Sequence, residues 1–171
     1  MAQAVFCLVR TEAAAIRIVE QLKAAGFSHA DISVLFPDTA GTRDFAHEQH
    51  TKAPEGAATG AGTGGVLGGT LGWLVGIGAL AIPGLGPFIA AGPIMAALSG
   101  AAAGAALGGL TGALIGLGIP EYEAKRYEGK VKEGNLLISV HTEDSTERAR
   151  ARRIFEQEGA EDIADTAEAR V

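Results

Sequence analysis

The sequence predicts an α+β domain that is interrupted by a long uncharged insertion. The 14 basic and 20 acidic residues all lie in 1–55 or 121–171, whereas the 65 positions 56–120 contain no Asp, Glu, Lys, Arg or His. The insertion also holds 20 of the 25 glycines. Each charged flank carries a strand–helix–strand pattern of apolar residues. We therefore expect the flanks to fold together as one domain and the insertion to be shielded from water.

The N-terminal flank, residues 1–36, is predicted to form a strand, a helix and a second strand. The apolar run Ala4–Val9 indicates a buried strand. Thr11 can cap the helix that follows, and Gly26 is placed to end that helix in a left-handed conformation. Asp31–Phe36 is the second predicted strand. The next segment, 37–55, is interpreted as a polar linker.

The C-terminal flank repeats this plan. Leu136–His141 is a predicted strand, and Asp144 followed by Glu147 resembles the capping box that begins a helix. Gly159 is expected to end this helix, and a weak last strand contains Ile163. The flank is therefore a second strand–helix–strand unit.

One additional helix is predicted over 120–132, where Pro120 suits the first turn. It belongs with the second half of the domain, residues 120–171. Two such halves predict a ferredoxin-like βαβ-βαβ domain with four antiparallel strands and two helices on one face. In that fold the second and third strands are neighbours, so the two ends of the insertion must return to nearly the same place. This constraint predicts that the insertion is a hairpin.

The insertion, residues 56–119, contains two ladders of small residues at four-residue spacing. They are predicted positions of helix packing and oligomerisation, with members Gly60, Gly64, Gly68, Gly72 and Gly76 in the first and Gly92, Ala96, Gly100, Gly104, Gly108, Gly112 and Gly116 in the second. Small residues at this spacing let helix backbones approach closely, as in glycine zippers of membrane proteins. We expect helices over 57–82 and 93–118, joined by a turn that contains Pro83, Gly84, Gly86, Pro87 and Pro93.

The length and apolar character of the two ladder segments predict a transmembrane hairpin. A helix of 26 residues is about 39 Å long, enough to cross a hydrocarbon core of about 30 Å. Such a hairpin would place the protein in a bacterial inner membrane with both termini in the cytoplasm and membrane lipid as a partner. Four basic residues just after the second helix are candidate headgroup contacts, namely Lys125, Arg126, Lys130 and Lys132.

The ladders also predict a homo-oligomer. Four residues turn an α-helix by about 40° more than one full turn, so a long ladder winds around its helix and one neighbouring helix cannot follow it. The predicted function is non-enzymatic: an oligomeric scaffold or stress-related protein that presents its heads on one membrane face. Two alternatives stay open. The ladders could enclose an apolar chamber that carries a lipid or a quinone, or the hairpins could form a buried Gly/Ala helical core in a soluble assembly.

Several stretches of the chain are similar to a known family. Residues 11–13, 22–27 and 31–35 resemble the N-terminal module of bacterial general stress proteins of the heat-induced type. Residues 78–87, 90–93 and 118–121 resemble the Gly/Ala core of the same proteins. The resemblance implies a bacterial, membrane-associated protein that is linked by name to stress, and it supplies no catalytic residues.

The sequence leads us to expect no catalytic residue, metal or cofactor. His47 and His50 lie three residues apart, but a metal site needs further ligands, and nothing supports His29 or His141 in that role. The phosphate-binding pattern Gly-x-x-x-x-Gly-Lys-Ser/Thr does not occur. A net charge of −6 disfavours nucleic acid, which requires a basic surface. The single cysteine, Cys7, is interpreted as a core residue.

Overall fold

The structure, a computed structural model, describes residues 3–37, 78–82, 86–92, 109–116 and 118–167. These ranges contain six strands and four helices. The strands are β1 (Gln3–Val9), β2 (Ile32–Pro37), β3 (Gly78–Ile82), β4 (Gly86–Ala91), β5 (Leu136–Thr142) and β6 (Glu161–Ala167). The helices are α1 (Glu12–Ala24), α2 (Gly109–Gly116), α3 (Glu121–Lys132) and α4 (Ser145–Gln157). The predicted α+β class is confirmed.

The strands of the described ranges form one antiparallel sheet in the order β3-β4-β2-β5-β1-β6. The strands of the two flanks occupy its centre and one edge, and Phe6 of β1 lies opposite Ser139 of β5 and Ala164 of β6. Strand β2 pairs with β5, as the sequence predicted for the second and third strands of the flanks. The two charged flanks therefore share one sheet.

Helices cover both faces of this sheet. The first face packs against α1 and α4, and its core contains Val5, Cys7, Ile138, Ile18 and Phe155. The second face packs against α2 and α3. Its core contains alternate residues of the same strands together with residues of both helices, among them Phe6, Leu8, Leu137, Leu114 and Tyr127. The central strands are buried on both sides, which explains their nearly continuous apolar runs.

The predicted helix boundaries in the flanks are confirmed by their hydrogen bonds. The Thr11 side chain accepts a hydrogen bond from the Ala14 amide, and Asp144 accepts from the amides of Thr146 and Glu147. Each helix ends at a glycine in the left-handed region, and these glycines are Gly26, Gly118, Gly134 and Gly159. At Gly26, for example, the next amide, that of Phe27, returns to the Leu22 carbonyl, so the last turn keeps its hydrogen bonds.

The predicted helix over 57–82 is wrong at its described end, and the predicted turn is wrong at Gly86 and Pro87. Residues 78–82 form β3, and Gly86 and Pro87 open β4 rather than a helix-to-helix turn. Phe88 of β4 pairs with Pro37 of β2, so the hairpin extends the sheet. The physical reason is that β2 offers a row of backbone donors and acceptors beyond β5, and a strand satisfies them where a helix would not.

Residues 109–116 of the second predicted segment are helical in α2, and Gly118 lies in the turn that follows. The remaining parts of both predicted ladder helices, and the linker 38–55, lie outside the described residues.

Among the residues that the structure describes, no helix is both long enough and apolar enough to cross a bilayer. The apolar helix α2 has 8 residues, which corresponds to about 12 Å of rise against a hydrocarbon core of about 30 Å. This finding contradicts the predicted transmembrane hairpin. It also contradicts the predicted inner-membrane location with both termini in the cytoplasm.

Candidate functional site

The outward face of α2 is the candidate site. This helix buries Leu110, Ala113 and Leu114 in the core shared with α3. On its other side Gly116 is exposed and the Ile115 side chain is 43% exposed. A Cβ built on Gly116 would meet no atom within 4 Å. The helix therefore packs on its own domain through two leucines and an alanine and turns a ladder glycine and an isoleucine outward.

A carboxylate of α3 fixes the beginning of α2. Glu128 Oε2 accepts a hydrogen bond of 3.1 Å from the Thr111 amide and a second one from the Thr111 hydroxyl. Its other oxygen, Oε1, lies 3.1 Å from Lys132 Nζ. A negative charge near a helix N-terminus also interacts favourably with the helix dipole. Partial burial opposes ionisation of Glu128, but the contacts with Thr111 and Lys132 outweigh it and lower the pKa. The outward face of α2 is thus held in a defined orientation.

The ladder residue Gly92 has a role that differs from the predicted one. It follows β4, has a φ of +79°, and a Cβ at this position would collide with the carbonyl oxygen of Ile32. Only glycine allows this approach of the chain to β2. Gly92 is therefore a sheet-packing residue and not part of a helix, and its place in the second ladder is wrong.

The other predicted ladder and turn residues divide into three groups. Gly112 and Gly116 lie in α2, and Gly86 and Pro87 lie in β4. The remaining members lie outside the described ranges, namely Gly60, Gly64, Gly68, Gly72, Gly76, Ala96, Gly100, Gly104, Gly108, Pro83, Gly84 and Pro93.

Three of the four predicted headgroup contacts are engaged in ion pairs within the domain. Lys125 pairs with Glu121 at 2.6 Å, Arg126 with Asp162, and Lys132 with Glu128. The two pairs within α3 have the i,i+4 spacing that supports helices. The basic residues after the insertion are therefore part of a helix surface on which acidic partners balance their charge. The sequence analysis did not foresee that one of these partners lies on β6 rather than on α3.

The fourth residue, Lys130, lines a cavity of about 290 Å³ at one end of the sheet. The other lining residues are Arg10, Glu133, Gly134, Asn135 and Glu161. Arg10 forms an ion pair with Glu161, in which a guanidinium nitrogen lies 2.7 Å from Glu161 Oε1. The lining is polar and charged, which does not suit a lipid or a quinone. The alternative of an apolar carrier chamber stays a prediction.

The edge strand β6 is tied to the domain by arginines from three elements. Arg10 after β1 pairs with Glu161, Arg126 of α3 with Asp162, and Arg152 of α4 with Asp165 at 2.8 Å. Asp162 has a φ of +51° and lies at an irregularity in the pairing with β1. Bulges and charged residues at a sheet edge discourage pairing with other strands. The sequence analysis assigned a weak strand here and could not foresee the bulge.

The remaining titratable candidates are the histidines and Cys7. No group of three or more His, Cys, Asp or Glu side chains suited to a metal ion occurs in the described ranges, and His47 and His50 lie outside these ranges. Cys7 is buried in the core, and burial raises the pKa of its thiol. Its predicted packing role is confirmed by its place in the core.

Comparison with known proteins gives no match. No family model, curated protein or solved structure is significantly similar to this chain. The resemblance to general stress proteins therefore stays a prediction.

Proposed function

We propose that this protein is a non-enzymatic scaffold that assembles with further copies of itself through its Gly/Ala segment. The α/β domain would be the presented head, and the outward face of α2 would be part of the contact between copies. The observation that carries this proposal is that α2 buries Leu110, Ala113 and Leu114 within its own domain and leaves Ile115 and Gly116 outward.

Three physical features support α2 as a contact. Glycine lets a second helix backbone approach closely, and the neighbouring isoleucine supplies apolar area that gains free energy on burial. The face carries no charge, so its burial removes no ion from water. The link between Glu128 and Thr111 holds the face in place before association, which lowers the entropy lost on binding.

The fold that would present this face is, in the finer description we propose, ferredoxin-like. This proposal is supported by the strand order β2-β5-β1-β6 and by the packing of α1 and α4 on one side of those strands. The insertion would then add β3, β4 and α2 to a core built by the two flanks. A structural role for β6 is supported by its acidic residues, because each of them has an arginine partner.

Two matched substitutions test the proposal. Gly116→Leu places a large side chain on the outward face of α2, and Gly129→Leu does the same on the exposed side of α3; a Cβ meets no atom within 4 Å at either glycine. Both changes replace glycine by a good helix former, so neither should unfold the domain. The molar mass of the full chain is measured by light scattering during size-exclusion chromatography, over a range of concentrations.

We expect the unmodified protein to be oligomeric and Gly116→Leu to weaken association by at least about tenfold, a cost of about 1.4 kcal/mol. Gly129→Leu should associate like the unmodified protein. A monomeric unmodified protein at the highest concentration, or equal behaviour of the two variants, contradicts the proposal.

A further inference from the structure

Two buried side-chain oxygen atoms, one on α3 and one on β6, have no hydrogen-bond partner in the protein. They are Glu123 Oε2 and Thr166 Oγ1, and they are the buried side-chain polar atoms of the described ranges for which no partner is found. Leaving a buried oxygen unpaired costs free energy, so native proteins nearly always provide a partner, often an ordered water. Two such atoms, on a helix and on a strand that are joined by other contacts, therefore require an explanation.

Thr166 faces α3. In the sheet it lies opposite Ala4, whose side chain belongs to the core beneath α2 and α3. Side chains of opposed residues in an antiparallel pair lie on the same face. Ala164, two residues earlier, packs against the same core, and Thr166 is only 4% exposed. The threonine hydroxyl is thus enclosed on the helix side of the strand.

The course of α3 along β6 places Glu123 near the level of Thr166. Helix α3 runs antiparallel to β6, because Lys130 near its end lines a cavity with Glu161, and Tyr127 reaches Asp162. The Tyr127 ring also stacks on Phe6, which is paired with Ala164. Glu123 is one turn earlier on the same side of the helix as Tyr127. It therefore lies over the part of β6 beyond Ala164, where Thr166 is.

We propose that one ordered water molecule binds in this seam and bridges Glu123 Oε2 and Thr166 Oγ1. A carboxylate oxygen needs a donor, and the Tyr127 hydroxyl cannot serve, because it donates to the Asp162 carbonyl at 2.9 Å. A water can donate to Glu123 and accept from the Thr166 hydroxyl, so one molecule satisfies both atoms. The site joins the first turn of α3 to the edge strand.

A double-mutant cycle tests the bridge. Thr166→Val removes the hydroxyl at nearly constant volume, and we measure its effect on the melting temperature of the full chain in the natural background and in Glu123→Ala. With the water in place, Thr166→Val leaves the carboxylate oxygen less well solvated. We expect it to lower the melting temperature by about 2–6 °C in the natural background and by less than half of that in Glu123→Ala.

Thr142→Val is the matched control. Thr142 is a buried threonine on β5 whose hydroxyl donates to the Gln3 carbonyl at 2.8 Å, so its partner is a protein atom. Its replacement should lower the melting temperature equally in both backgrounds.

The proposal is overturned if Thr166→Val raises the melting temperature or leaves it unchanged. That result is expected of a buried hydroxyl that binds no water, because its removal is neutral or stabilising. An equal loss in both backgrounds overturns it as well. A high-resolution crystal structure of the unmodified protein gives a readout that does not depend on the variants folding. We expect density for a water within hydrogen-bond distance of both oxygens, and an empty or closed seam overturns the proposal.

Discussion

The hydroxyl of Tyr127 donates a hydrogen bond of 2.9 Å to the backbone carbonyl of Asp162. This bond joins the buried face of α3 to the irregular point of β6, where Asp162 has a positive φ. Next to it the guanidinium of Arg126 pairs with the carboxylate of the same aspartate. One residue of the edge strand is thus held through its backbone and its side chain by two consecutive residues of a helix.

Removing the Tyr127 hydroxyl should destabilise the domain. In Tyr127→Phe the stacked ring on Phe6 is retained, but the Asp162 carbonyl loses its donor. We expect the free energy of unfolding to fall by about 1–2 kcal/mol, measured by urea denaturation. Tyr122→Phe is the control, because Tyr122 is 73% exposed and should cost almost nothing. Equal losses for both variants would show that the hydrogen bond does not stabilise the fold.

Gly92 should not accept any side chain. In Gly92→Ala the new Cβ would collide with the Ile32 carbonyl oxygen, in a backbone conformation that favours glycine. We expect a loss of about 2–4 kcal/mol and faster hydrogen exchange of the amides that join β2 to β4. The same change at Gly129, in exposed helix with open space around it, should instead stabilise by about 0.5–1 kcal/mol. If Gly92→Ala is tolerated as well as Gly129→Ala, β4 does not pack on β2 as described.

The contact between Glu128 and Thr111 should make the attachment of α2 dependent on pH. The pKa of Glu128 lies below its ordinary value of 4.5, because the contacts with Thr111 and Lys132 outweigh burial. A lowered carboxyl pKa means that the stabilisation is complete above about pH 4.5 and is lost as the pH falls through the lower value of the folded state.

The variant Glu128→Gln isolates this contribution. At neutral pH we expect it to be less stable than the unmodified protein by about 0.5–1.5 kcal/mol, and the difference should shrink as the solution is made more acidic than the ordinary carboxyl pKa. Glu156→Gln, an exposed change of the same charge on α4, should show no comparable difference. A stability difference for Glu128→Gln that does not change with pH would rule out the charged contact.

The Cys7 thiol should be unreactive in the native protein. Cys7 is fully buried in the core between the sheet and the helices α1 and α4. Burial raises the pKa of the thiol, so the thiolate is both rare and inaccessible. We expect labelling by a maleimide to be at least about 100-fold slower in native buffer than in concentrated guanidinium chloride, and to be limited by unfolding. Rapid labelling in native buffer would show that this core opens locally.

Much of the structure of the flanks was predictable, because its signals are local. The helix ends are fixed by hydrogen bonds that reach only a few residues along the chain, at Thr11, Asp144, Gly26 and Gly159. The candidate site was predictable only in part. The ladder identified Gly112 and Gly116, but the outward orientation of α2 follows from which residues Leu110 and Leu114 meet on the sheet.

The insertion shows where sequence reasoning failed. Residues 78–82 and 86–91 are apolar and rich in small residues, a composition that fits a buried helix or a strand equally well. The choice depends on the unpaired edge of β2, which lies far away in the sequence. No local sequence pattern reveals an unpaired sheet edge. Residues 78–82, predicted as the end of a helix, therefore form a strand.

By itself the sequence determined the two strand–helix–strand halves, their helix boundaries, and the separation of charged flanks from an uncharged centre. The tertiary structure alone decided that the centre adds strands to the shared sheet, that Gly92 lies against Ile32, and that Asp162 is held by α3. The physical reason is range: capping and periodicity act between residues close in the chain, whereas sheet edges, close backbone approaches and cross-element ion pairs depend on partners that only folding brings together.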